Sequence, residues 1–224
     1  VTKVNPCHKP AGSSTGGQFC ETGGSSGDNH IAIISSGPRT ERLSAAITEV
    51  FEALPTSWKP VPLEVRLHDD PQSGHLAQYN SASKVVDVWP VRPTTNAKGY
   101  YVRNREGVGG TVLHEYGHAV DYAGVKVTST ATQGRHSGSE GFQKALQTDK
   151  TVSDVRRTRD LGESDWRGFG HVVSHPREVF AETYAILAAE KTGGKVFAGS
   201  SLEDWQRHFP QTLSYVSSIF EGKK

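Results

Sequence analysis

The sequence predicts an α+β domain, in which a small sheet with an antiparallel strand in it is followed by a mostly helical half. Three observations carry that prediction. Strand-like apolar or alternating runs are confined to the chain before residue 92, helical periodicity dominates beyond it, and two of the helical stretches carry metal-ligating side chains one turn apart.

At 224 residues the chain is long enough for one well-buried core and an irregular extension. Residues 1–30 are rich in Gly, Ser, Thr and Pro and nearly empty of aliphatic side chains, so they predict an extended arm with no core of its own. Residues 31–224 predict the folded domain that carries the chemistry. The arm holds both cysteines, Cys7 and Cys20. With His8 and His30 nearby, a structural zinc, a disulfide and two free thiols all stay open, and the redox setting chooses among them.

Charge is almost balanced, with Lys+Arg 25 against Asp+Glu 24, which argues against a polyanionic partner such as nucleic acid. No apolar run approaches a membrane span and no signal-peptide pattern opens the chain, so a soluble protein is expected.

Along the chain, residues 31–34 form a short apolar run suited to a strand. Leu43, Ala46, Ile47, Val50, Phe51 and Leu54 then follow one helical face, closed by Pro55. Val61, Leu63, Val65 and Leu67 alternate with polar residues, the period of a half-buried strand, and His68 falls on the solvated phase. Asp69, Asp70, Pro71 and Gly74 read as a loop. The Val-rich stretch 84–91, with Pro90 and Pro93 at its end, reads as an edge strand beside the helix described next, where it can pair with an extended peptide. Tyr100 and Tyr101 are expected to pack, and residues 107–110 read as a glycine-rich lead-in.

The run from Leu113 to Asp121 contains His-Glu-Tyr-Gly-His at 114–118, inside a helix stopped by Gly124. On a helix, His114 and His118 lie one turn apart on one face and can share a metal, while Glu115 reaches a water on it. Zinc is the expected metal: two imidazoles and a carboxylate leave a fourth tetrahedral position open, and water there acidifies to a pKa of about 7. Glu115 is then the general base. Gly117 keeps bulk off the helix where another segment or a substrate comes close. Asp121, one turn past His118, is placed to orient a ligand imidazole from behind.

Residues 125–139 read as a polar loop or lid, residues 141–148 as a short helix, and residues 149–166 as charged and irregular, with Arg156, Arg157 and Arg159 on a solvated face. A second well-marked helix follows. Ser174 can cap it, Pro176 suits its first turn, and Gly193-Gly194 stops it. Glu178 and Glu182 share one face, and two acids so close repel unless a cation or donor intervenes. Glu178 is expected as the third metal ligand and Glu182 as the acceptor behind a ligand imidazole.

Together, HEYGHAVDYAG and the later EVFAETYAIL resemble the catalytic domain of anthrax lethal factor and the related Pro-Pro endopeptidases, which are zinc metallopeptidases of the gluzincin type. The resemblance spans residues 31–220, including a final helix at 210–220. It implies a zincin-like fold in which His114, His118 and Glu178 bind zinc and Glu115 is the base. Where that family places a tyrosine to steady the oxyanion, this chain has His171; His175 can take the role if the preceding loop is placed differently. In the arm, "PAG" and "GGQF" resemble segments of tailed-phage structural and head-morphogenesis proteins, which implies contacts with other virion proteins and leaves the setting open between a virion and a secreted or delivered protein.

Two functions follow as expectations: a zinc-dependent endopeptidase acting on a protein or peptide, or a structural or binding virion-associated protein that retains the fold.

Overall fold

The computed structural model describes residues 31–35, 40–70, 76–90, 100–123, 134–160, 175–193 and 201–221; residues 42, 100–107 and 151–160 are described in their backbone alone. Within them the chain is α+β, with six α-helices and a mixed four-stranded sheet. The arm, with Cys7, Cys20, His8 and His30, lies outside the described residues.

The sheet is built from β1 (Ile31–Ser35), β2 (Leu63–Leu67), β3 (Ala77–Asn80) and β4 (Val85–Val88), in the order β1-β2-β4-β3. β1 and β4 both run parallel to β2, and α1 (Glu41–Ala53) provides the crossover between β1 and β2. The alternation expected of β2 appears directly, since Leu63, Val65 and Leu67 are buried while Arg66 is exposed. β3 and β4 form an antiparallel hairpin. Its turn is locally encoded: Asn80 Oδ1 accepts from the backbone amides of Ala82 and Ser83, and Lys84 takes a positive φ of 58°.

This hairpin corrects the expected edge strand. β4 is an inner strand between β2 and β3, and β3, read from the sequence as loop, is the edge. Pro90 does not conflict with an inner position, because β4 ends before it and loses no ladder donor. His68 keeps part of its side chain in solvent, as its place on the polar phase implies, and also has protein partners. It bonds Asp87 Oδ1 at 2.7 Å and stacks on Trp89 with ring centroids 5.1 Å apart.

The helices after the sheet are α2 (Tyr100–Ala123), α3 (Glu140–Asp160), α4 (Pro176–Lys191), α5 (Leu202–His208) and α6 (Pro210–Glu221). α2 starts earlier than the glycine-rich sequence suggested. Each interior glycine costs a helix about 1 kcal/mol, but extending a helix already formed adds a hydrogen bond for each residue fixed. α3 likewise continues through 149–160, which lacks Gly and Pro, where irregular chain was expected. Arg156, Arg157 and Arg159 therefore lie on its helical backbone.

α2 lies across the sheet edge, touching β3 and β4 on one side and α4 on the other. α4 is buried without a break from Val179 to Ala189, the pattern of a helix enclosed on all sides. Around it, Trp58 stacks on Phe220 at 4.6 Å, and Trp205 Nε1–H donates to Thr183 Oγ1 at 2.9 Å. Buried Asp149 on α3 accepts from the amides of Gln211 and Thr212 and so caps the start of α6 from a distance. α5 is not among the elements expected from the sequence; Ser201 caps it by accepting from the Asp204 amide.

Candidate metal centre

Two helices build the centre, and one glycine lets them meet. A Cβ on Gly117 would stand 2.8 Å from both Cα and the carbonyl oxygen of Ala181, so α2 and α4 touch backbone to backbone there. The space Gly117 leaves is filled by α4. On the α2 side of this contact lie His114 and His118, with ring centroids 4.9 Å apart and planes nearly perpendicular. On the α4 side lie Glu178 and Glu182.

Glu178 Oε2 stands 3.3 Å from His114 Nε2 and 3.4 Å from His118 Nε2. His114, His118 and Glu178 each offer one ligand atom, all within 4.8 Å of one another, a group close enough to bind a metal ion. Behind it, His114 Nδ1 faces Glu182 Oε2 at 3.0 Å, and Glu182 is buried. In the neutral imidazole, donation of Nδ1–H to Glu182 leaves the lone pair of His114 on Nε2, the atom that faces Glu178 and would hold a metal.

The electrostatics follow from this placement. Burial works against a charged His114, but its hydrogen bonds to Glu178 and Glu182, which accept, outweigh it and carry its pKa up to about 10. Hydrogen bonds from His114 and His118 hold the Glu178 carboxyl far below the usual range, against partial burial. Without a metal, a proton on His114 therefore balances the acids.

Glu115, beside the ligands on α2, is not drawn into this network. Its Oε2 accepts from the backbone N–H of Tyr79 on β3 at 2.7 Å. Leu76 and Trp89 form a hydrogen-bonded pair through Trp89 N–H, and pairs alternate along an antiparallel ladder, so Tyr79 opposite Val86 turns its backbone groups away from β4. Glu115 thus takes an amide on the open side of the edge strand.

Asp121 departs from its expected role. It is fully buried, and its two oxygens accept from Ser137 N–H at 2.6 Å and Ser137 Oγ–H at 2.7 Å, so it ties α2 to the 3-10 turn His136–Gly138 rather than orienting a ligand imidazole. Burial raises its pKa against these two bonds. His136 in that turn stacks on Phe180 of α4. His171 and Ser174 lie outside the described residues. His175 occupies the N-cap position of α4 that had been expected for Ser174.

Three features escaped the sequence reading: the Tyr79 amide, the Ser137 anchor, and a cluster beyond His118 where Tyr122 meets Arg135 and Arg177. The first had a visible signal, because Asn80 and the small polar residues after it mark a hairpin turn with strands on both sides. The other two join segments far apart in the chain.

No protein-family model matches the sequence, and no curated protein matches it.

Proposed function

We propose that the protein is a zinc-dependent endopeptidase with a zincin-like catalytic domain. The observation that carries this reading is the position of Glu178 Oε2, 3.3 and 3.4 Å from the two imidazole Nε2 atoms. Ligand atoms bound to zinc at about 2.0–2.1 Å and at tetrahedral angles stand about 3.3–3.5 Å apart, so the two glutamate–imidazole spacings suit the ion, and the ligand atoms of the two imidazoles lie within 4.8 Å of each other. When bound, zinc supplies a Lewis acid for the scissile carbonyl and brings a water to an acidity at which a carboxylate can take its proton.

The chain's own residues supply the rest. Glu182 fixes His114 in the tautomer that presents Nε2. Glu115, outside the ligand set, takes the proton from the attacking water and passes it to the leaving amine. Its bond to the Tyr79 amide aims it toward the edge strand, where the outward backbone groups of β3 other than that amide can pair with an extended peptide. The resemblance to lethal factor and the Pro-Pro endopeptidases offers His171 as the donor to the developing oxyanion. A protein or peptide substrate follows. Among the described residues no helix is long and apolar enough to cross a membrane.

Metal analysis joined to peptide-library cleavage, with and without chelator, tests the reading. His118→Ala should lose the metal, because two ligands do not close the site. Glu115→Gln should keep metal and fold while cleavage falls by about 10²–10⁴. Full metal content in His118→Ala removes the ligand assignment. A zinc-loaded protein that cuts no peptide favours instead a structural or binding virion-associated protein that keeps the fold.

A further inference from the structure

Beyond His118, α2 carries Tyr122 one further turn along the ligand face. Two guanidinium groups from distant parts of the chain converge on its side chain. Arg135 sits over the ring, with Cζ 4.0 Å from the centroid, and Arg177 Nη1 approaches the Tyr122 hydroxyl at 3.4 Å. Arg177 directly precedes Glu178 on the first turn of α4, and the Tyr79 ring of the edge strand packs 5.9 Å from Tyr122. The cluster is therefore continuous with the candidate centre on three sides, through α2, α4 and β3.

Two like charges gathered on one side chain repel, and proteins ordinarily offset such pairs with a carboxylate. Among the described residues neither Arg135 nor Arg177 has a carboxylate partner, although Arg66 and Lys191 do. A guanidinium held over an aromatic face or by one N–H at a hydroxyl has further N–H donors, and its fork of donors matches the two oxygens of a carboxylate.

We propose that Arg135 and Arg177, arranged around Tyr122, form a carboxylate-binding subsite beside the metal centre that selects acidic peptides. This deepens the peptidase reading and rests on it for its place in catalysis. The carboxylate comes either from an Asp or Glu side chain near the scissile bond or from the free C-terminus of the substrate.

The test uses the full-length zinc-loaded protein and a randomised, N-acetylated decapeptide library in two forms, C-terminal acids and C-terminal amides. Cleavage enriched for Asp or Glu at one fixed position in both forms identifies a side-chain carboxylate. Cleavage confined to the free acids, at a fixed distance from the end, identifies the terminal one. In either case the ratio of acidic to neutral products should drop at least about tenfold in Arg135→Gln and in Arg177→Gln, the scale of one lost charge-assisted hydrogen bond, and less in the Lys variants, which keep the charge. If the two cations only offset the negative end of α2, the Gln variants lose stability and the ratio stays as in the wild type, which overturns the proposal. A second arm measures retention of the same library on the Glu115→Gln protein, with and without the two Gln substitutions. No cleavage with acid-dependent retention removes the peptidase reading and keeps the subsite, whereas retention indifferent to acids removes the subsite whatever the cleavage result.

Discussion

The Glu115 carboxylate accepts a hydrogen bond from the Tyr79 amide at 2.7 Å, so the residue placed to act as base is held by the backbone of the edge strand. Because that amide points away from β4, Tyr79→Pro removes the bond without removing a ladder bond. Zinc content should remain full and kcat should fall by about tenfold or more, as a base swings away from its water. Unchanged kcat, with the sheet intact by circular dichroism, would show that Glu115 needs no such anchor.

Gly117 is where the two ligand-bearing helices touch. Gly117→Ala places a methyl group 2.8 Å from the Ala181 backbone, and backbone cannot move aside as a flexible side chain does. The helices must separate, at a cost of about 1–3 kcal/mol for overpacking. Since His114 and His118 sit on one helix and Glu178 on the other, zinc affinity should drop together with the melting temperature. A variant that melts early but binds zinc as tightly as the wild type would show that the triad tolerates the shift.

Asp121 and Ser137 form a structural tie. Ser137→Ala deletes the donor to Asp121 Oδ2 and should lower stability by about 1–2 kcal/mol in a denaturant titration, while zinc content and cleavage persist. Loss of zinc from this variant would return Asp121 to the role of supporting a ligand.

Protonation of the metal-free centre gives a pH signature. His114 is raised from 6.5 to about 10, so its contribution to stability is complete below pH 6.5 and disappears as pH rises toward 10. Glu178 is lowered from 4.5, so its contribution is complete above pH 4.5 and fades as pH falls below that value. Chelator-treated protein should therefore be most stable between pH 4.5 and 6.5 and weaken toward alkaline pH. Zinc must displace the His114 proton, so binding at pH 7 should release a proton and tighten as pH rises. Calorimetry in buffers of different ionisation enthalpy measures that release; an enthalpy independent of buffer would mean that His114 is already neutral.

What the sequence determined about this protein is whatever depends on helical period and local stops. His114 and His118, and Glu178 and Glu182, fall one turn apart on helices whose course is fixed by apolar spacing, Pro176 and Gly193, the last at a φ of 73°. Two helices bearing such pairs, with Gly117 on one of them, already imply that their faces meet. Only the tertiary structure decided which strand forms the edge, because the polar stretch Ala77–Asn80 carries too little apolar pattern to be read as a strand, and without it Val85–Val88 has no outer neighbour. It also decided that Glu115 takes the Tyr79 amide, that Asp121 takes Ser137 in place of an imidazole, and that Arg135 and Arg177 gather on Tyr122. Each of these joins segments that local spacing cannot relate, and each is fixed by the packing of α2 between the sheet and α4. A buried carboxylate or amide bonds to the complementary group that packing brings within reach, and sequence distance does not enter that choice.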